Sequence, residues 1–259
     1  MVANAPAFDD PCPIHGFAAE SREWAVPAAD GTPLMAQVDL PAGDAPFAAA
    51  IIVHHSGAVD RCAYDYLAQR LVAAGVAAVR FDKRGTGRSG GDHGCCEGED
   101  ALAVYRAARA LADLDPSRTL LIAQSIGTRH LVDSFGEALA SDPPAGIVLL
   151  SSLLAGDELV RLPSPLLVIL ADSEPNLAAV GPEAVDRYRA EFGDSVDDEV
   201  TLYIAEGAEH TLFDVTAGPI DWQDPAWRTR FHAGAAATLD AWLKEVLLVG
   251  DRPCREDGP

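Results

Sequence analysis

Five short apolar runs recur along this chain, at residues 48–54, 76–81, 119–123, 146–150 and 165–170. Each is apolar at nearly every position rather than at alternate ones, so as strands they have to be covered on both faces. The segments between them have helical spacing. In 64–74, for example, Tyr64, Leu67 and Leu71 share one face and Gly75 closes the turn. Further helices are predicted at 100–112, 125–139 and 183–192, a strand at 199–204, and a long helix from 225 to 248. Two extended segments, 21–26 and 33–40, come first, and the Asp30-Gly31 pair between them is a hairpin signal. This alternation predicts an α/β fold: a doubly wound, mostly parallel sheet of about eight strands with helices on both faces. The opening hairpin is expected antiparallel at one edge.

The 259 residues, 49% of them hydrophobic, suit one domain over 21–248, with flexible tails at 1–20 and 249–259. With 19 basic against 40 acidic side chains the net charge is −21. Such a surface repels phosphate backbones and anionic lipid, so neither nucleic acid nor a membrane is an expected partner. No stretch is apolar for long enough to span a bilayer, and the first 13 residues carry Asp9 and Asp10 without a basic side chain, unlike a secretory signal. The five cysteines (Cys12, Cys62, Cys95, Cys96 and Cys254) are odd in number and irregularly spaced, which reads as a reduced, cytoplasmic protein. Cys95-Cys96 lies near His93 and Glu97, but no second cluster completes a tetrahedral site, so no metal is expected.

In doubly wound sheets chemistry gathers at the carboxyl ends of the strands. Here those ends carry Val53-His54-His55-Ser56-Gly57, then Phe81-Asp82-Lys83-Arg84-Gly85-Thr86-Gly87-Arg88-Ser89, then Ala123-Gln124-Ser125-Ile126-Gly127. Ala171-Asp172-Ser173-Glu174-Pro175 and Gly207-Ala208-Glu209-His210 follow. A serine on a sharp strand-to-helix turn is exposed as a nucleophile, although taken alone it reads rather as a helix cap. The order serine, acid, histidine gives Ser125 a downstream base.

On these motifs the chain resembles the α/β-hydrolases, over most of its length. The family's F-D-x-R-G-x-G-x-S loop matches 81–89 letter for letter, its strand-end His-Gly resembles His54-His55, and the triad order agrees. The resemblance implies Ser125 as nucleophile and His210 as base. It places the acid after the strand at 165–170. The register with Pro175 favours Glu174, and Asp172 is the alternative. The backbone N–H of Ile126, at a helix start, and by family register that of Ser56 are the expected oxyanion donors. Two departures stand out: Ala123 replaces the first motif glycine, and His55 replaces the strand-end glycine. His55 crowds or decorates the oxyanion loop, where it either contacts the acyl group or faces away.

Residues 151–164 are too few for the helical cap that many relatives insert there, so the site should be open and roofed by loops. Phe213, Ile220, Trp222 and Trp227 either form an apolar acyl pocket or pack on the last helix, and Trp222 and His55 are the expected substrate contacts. The compact plan is similar to dienelactone-hydrolase-like members. The resemblance implies a serine hydrolase acting on an ester or thioester of a small or medium acyl substrate through an acyl-enzyme, with no cofactor. An acyltransferase or cyclase-like tailoring enzyme with the same triad remains open. So do a non-catalytic binding protein on this fold and a homodimer.

Overall fold

Inside the third strand, Ile51 and Val53 face one core and Ala50 and Ile52 the other, as its unbroken apolar run requires. The computed structural model describes residues 12–163, 165–193 and 200–249. Its strands are β1 (Glu20–Pro27), β2 (Pro33–Leu40), β3 (Phe47–Val53), β4 (Ala77–Phe81), β5 (Leu114–Gln124), β6 (Gly146–Leu150), β7 (Leu166–Ala171) and β8 (Val200–Ala205). They form one sheet in the order β1-β2-β4-β3-β5-β6-β7-β8. β2 pairs antiparallel with β1 and β4, and every other pairing is parallel. The opening hairpin thus lies at one edge, and β5, which leads into Ser125, lies near the middle.

The helices are α1 (Asp65–Ala73), α2 (Glu97–Arg109), α3 (Ile126–Ser134), α4 (Gly136–Ser141), α5 (Gly156–Leu159), α6 (Pro175–Phe192) and α7 (Ala233–Val249). α1 and α7 cover one face of the sheet; α2, α3 and α6 cover the other. Besides β5, which begins five residues before 119, three helices differ markedly from expectation. The helix after Ser125 breaks at Phe135, whose ring is fully buried, before Gly136, a poor helix former. α6 begins eight residues earlier than Glu183, at Pro175, the helix position where a missing N–H is harmless. It runs on through Gly181 and Pro182. A Cβ at Gly181 would lie 2.0 Å from Leu170 Cδ1, so this glycine is what lets the helix approach β7. The expected final helix is a 3-10 turn at Pro225–Arg230 followed by α7. Phe231 between them is extended and bridges Phe213, and His232 Nδ1 accepts the Ala235 N–H to cap α7. Only the short α5 lies between β6 and β7 among the described residues. Residues 1–11 and 250–259 of the two expected tails, together with Ser164 and Glu199, lie outside the described residues.

The all-reduced reading of the cysteines is corrected: Cys12 and Cys62 form a disulfide, with their Cα atoms 4.9 Å apart. Residues 12–19, assigned to a flexible tail on sequence, are fastened at several points. Cys12 is buried, Ile14 N–H donates to Asp65 Oδ2 (3.2 Å), and Ile14 and Phe17 pack on the core beneath α1. The bond closes a loop of 50 residues. Replacing both cysteines by serine is expected to lower the unfolding free energy by about 2–4 kcal/mol. Urea denaturation of the two proteins checks this, and superimposable midpoints would count against the cross-link.

Candidate active site

β5 delivers its last residue, Gln124, to the carboxyl edge, and the chain turns at Ser125 with φ 54° and ψ −119°. Positive φ at a non-glycine residue is strained, and it lifts the hydroxyl clear of the strand. The turn is pinned from the neighbouring strand, where Leu150 O accepts the Ser125 N–H at 2.9 Å. Gly127 is required for packing: a Cβ there would lie 2.6 Å from Val53 O and 2.8 Å from His54 O. Ala123 needs no such allowance, because its methyl is fully buried in the core.

His210 arrives on the loop after β8, and its Nε2 lies 2.7 Å from Ser125 Oγ. Its Nδ1 meets Glu174 Oε2, the residue just before α6. A carboxylate can only accept, so Nδ1 carries the proton and Nε2 is free to accept from the serine hydroxyl. Asp172 does not reach the imidazole among the contacts observed. Its Oδ1 accepts the Gly207 N–H at 2.9 Å, bracing the positive-φ turn that leads to His210. Ser151 holds the same loop by donating from Oγ to His210 O.

The loop after β3 is fixed atom by atom. Tyr64 OH accepts the His55 N–H (2.9 Å), and His55 Nδ1 accepts the Gly57 N–H (2.9 Å). Lys83 Nζ, paired with Glu97 at 2.8 Å, donates to His55 O and Gly57 O. Of the three backbone N–H groups at 55–57, that of Ser56 alone makes no hydrogen bond among the described residues. Ile126 is the first residue of α3, where N–H groups lack an intrahelical acceptor. Among the described residues, two backbone donors are thereby left unpaired beside Ser125, one on the loop after β3 and one at the start of α3.

Three residues in this arrangement escaped sequence reasoning. Gln124 accepts the Tyr64 hydroxyl at Oε1 (2.8 Å) and donates from Nε2 to Thr211 O (3.1 Å). One buried amide therefore ties the serine turn to both the β3 loop and the histidine loop. Its signal was a polar side chain directly after the apolar run Leu120–Ala123. Tyr64 and Lys83 gave none beyond ordinary helix and loop positions. Asp82 and Gly87 of the 81–89 motif serve the loop itself. Asp82 accepts from Arg61 and from Arg88 N–H, and a Cβ on Gly87 would strike its carboxylate.

His54 is buried between Tyr64 and Phe81, with ring centroids 4.8 and 4.6 Å away, and neither ring nitrogen has a partner among the described residues. Burial, reinforced by the Lys83 charge, holds its pKa well below the usual histidine range, and His55 shifts the same way. The unfolded chain therefore binds more protons than the native state below about pH 6.5. Stability is expected to fall as pH drops from that point, with His54 contributing a slope approaching about 1.4 kcal/mol per pH unit. Asp65, raised by burial, acts with the opposite sign. Urea midpoints at pH 7 and pH 5.5 for wild type and His54→Phe isolate the histidine, and an unchanged slope in the variant would refute its part.

Beside the serine turn lies a cavity of about 650 Å³ between the loops after β3 and β8. Gln124 and Thr211, the chain neighbours of Ser125 and His210, line it, as do His55 and Trp222. Of the four residues expected in one role or the other, Phe213, Trp222 and Trp227 line the cavity, and Ile220 and Trp227 pack against the core cluster to which α7 contributes.

Residues 45–213 match the sequence profile of the family described as "Serine aminopeptidase, S33". No curated protein matches the chain in sequence. Solved structures share its fold. EstE1, a thermophilic carboxylesterase cloned from a metagenomic library, superimposes with a TM-score of 0.65 at 17% identity, covering 91% of this chain and 90% of its own. XC6422 from Xanthomonas campestris, described as an α/β serine hydrolase without lid, gives 0.55 at 22% identity over 93% and 97%. The dienelactone hydrolase from Anabaena variabilis gives 0.61 at 14% over 87% and 98%. The sheet and its helices are those of the α/β-hydrolase fold.

Proposed function

Since this chain belongs to the serine aminopeptidase S33 family of α/β-hydrolases, we propose that it is a serine hydrolase cleaving a small or medium ester or thioester through an acyl-enzyme. The observation that carries this is the continuous line Ser125–His210–Glu174. A neutral serine hydroxyl is a weak nucleophile and needs a base within hydrogen-bond reach. Ser125 Oγ attacks the substrate carbonyl as its proton passes to His210 Nε2. Glu174 holds the imidazole in the accepting tautomer and stabilises its protonated form. The N–H groups of Ile126 and Ser56 take the developing oxyanion, the first aided by the positive end of α3. His210 then protonates the leaving alcohol or thiol. Water, deprotonated by His210 in turn, releases the acid and restores the serine. A fluorophosphonate probe should label the wild type on Ser125 and leave Ser125→Ala unlabelled. Equal labelling of both proteins would rule the nucleophile out.

A further inference from the structure

The cavity beside Ser125 has an unusual wall. Phe213, Trp222 and Trp227 meet edge-to-face, with centroids 5.7 Å (Phe213–Trp222), 5.4 Å (Trp222–Trp227) and 5.0 Å (Phe213–Trp227) apart, and Tyr66 joins edge-on to Phe213 and Trp227. Tyr64 continues this surface toward Gln124. The other aromatics are packed on several sides, but Trp222 is 50% exposed, so much of its ring is uncovered at the cavity rim. The lining carries two charged groups, Arg228 and Asp60. Arg228 is held by both oxygens of Asp65 and lies over Trp227, its guanidinium carbon 4.3 Å from the ring centroid. Asp60 accepts the Cys62 N–H as the cap of a 3-10 turn. A ligand entering this space meets ring faces and edges and, at Asp60, a carboxylate with no cation paired to it among the described residues, which disfavours an anionic ligand.

Aromatic rings favour edge-to-face and offset contacts because a ring's face is negative and its rim positive. A saturated ring of equal bulk buries similar area without that term. We infer that the cavity takes a flat, uncharged aromatic arm of the substrate, with Trp222 as the residue that selects it. This rests on the hydrolase reading for the bond cleaved, but not for the ring bound.

The test separates the two. Ser125→Ala, which keeps the ester intact, is titrated with methyl phenylacetate against methyl cyclohexylacetate, and with benzyl acetate against cyclohexylmethyl acetate, following tryptophan fluorescence. The two pairs place the ring on the acyl or the alcohol side. The aromatic member of at least one pair should bind about 5- to 10-fold more tightly, the size expected of aromatic pairing beyond area. Trp222→Ala in the same background should remove the preference and Trp222→Phe should retain it. A carboxylate added to the ring should abolish it. Equal affinity within both pairs, or a preference unchanged by Trp222→Ala, overturns the inference. Fluorophosphonate labelling, read separately, decides the hydrolase reading whichever way the titration falls.

Discussion

Replacing Ser125 with alanine is expected to lower kcat/KM for an activated ester by about 10⁵-fold, on the order of 7 kcal/mol of transition-state stabilisation. On the proposed mechanism the loss is this large because the hydroxyl forms the new bond and no neighbouring group replaces it. His210 Nε2, 2.7 Å from that hydroxyl, takes its proton and then serves the leaving group and the water in turn. His210→Ala should therefore cost a similar factor, and the double variant little more than either single one, since residues acting as a unit do not add. Release of p-nitrophenolate from p-nitrophenyl acetate, corrected for the uncatalysed rate, gives all three numbers. A Ser125→Ala protein within tenfold of wild type would falsify the assignment.

The second large effect separates two carboxylates two residues apart. Glu174→Gln is expected to reduce kcat by about 10³–10⁴-fold, because an amide in place of the carboxylate no longer fixes the imidazole tautomer or stabilises its cationic form. Asp172→Asn should stay within about tenfold of wild type. Its work is to accept the Gly207 N–H at Oδ1, and an asparagine oxygen does that equally well. Steady-state kinetics on both variants, with circular dichroism to verify folding, reads the contrast. Collapse in Asp172→Asn with activity kept in Glu174→Gln would exchange their roles.

Much of this architecture can be read from local pattern. Unbroken apolar runs mark strands covered on both sides, and β2 and β6 fall at the expected residues. Strand-end motifs in a fixed order bring Ser125, Glu174 and His210 together, because parallel strands deliver their carboxyl ends to one edge. What escaped reading depends on contacts between distant segments. Cys12 and Cys62 pair across 50 residues, and no spacing rule joins them. Gln124 acquires its importance only when Tyr64 and Thr211 arrive from other loops. Gly181 and Pro182 both lie inside α6, although each is a poor helix former; Gly181 is there because the helix passes close to Leu170. Local propensity is a weak prior wherever packing sets the backbone.

The backbone at Ser125 bears on the idle-scaffold alternative. A serine at φ 54° costs on the order of 1–3 kcal/mol that a glycine there largely escapes. A protein that used this fold only to hold a ligand would gain stability from that one substitution. Natural chains sit close enough to their stability threshold for such a gain to matter. The serine is the costlier residue at this turn, and what it adds over glycine is an oxygen within reach of His210.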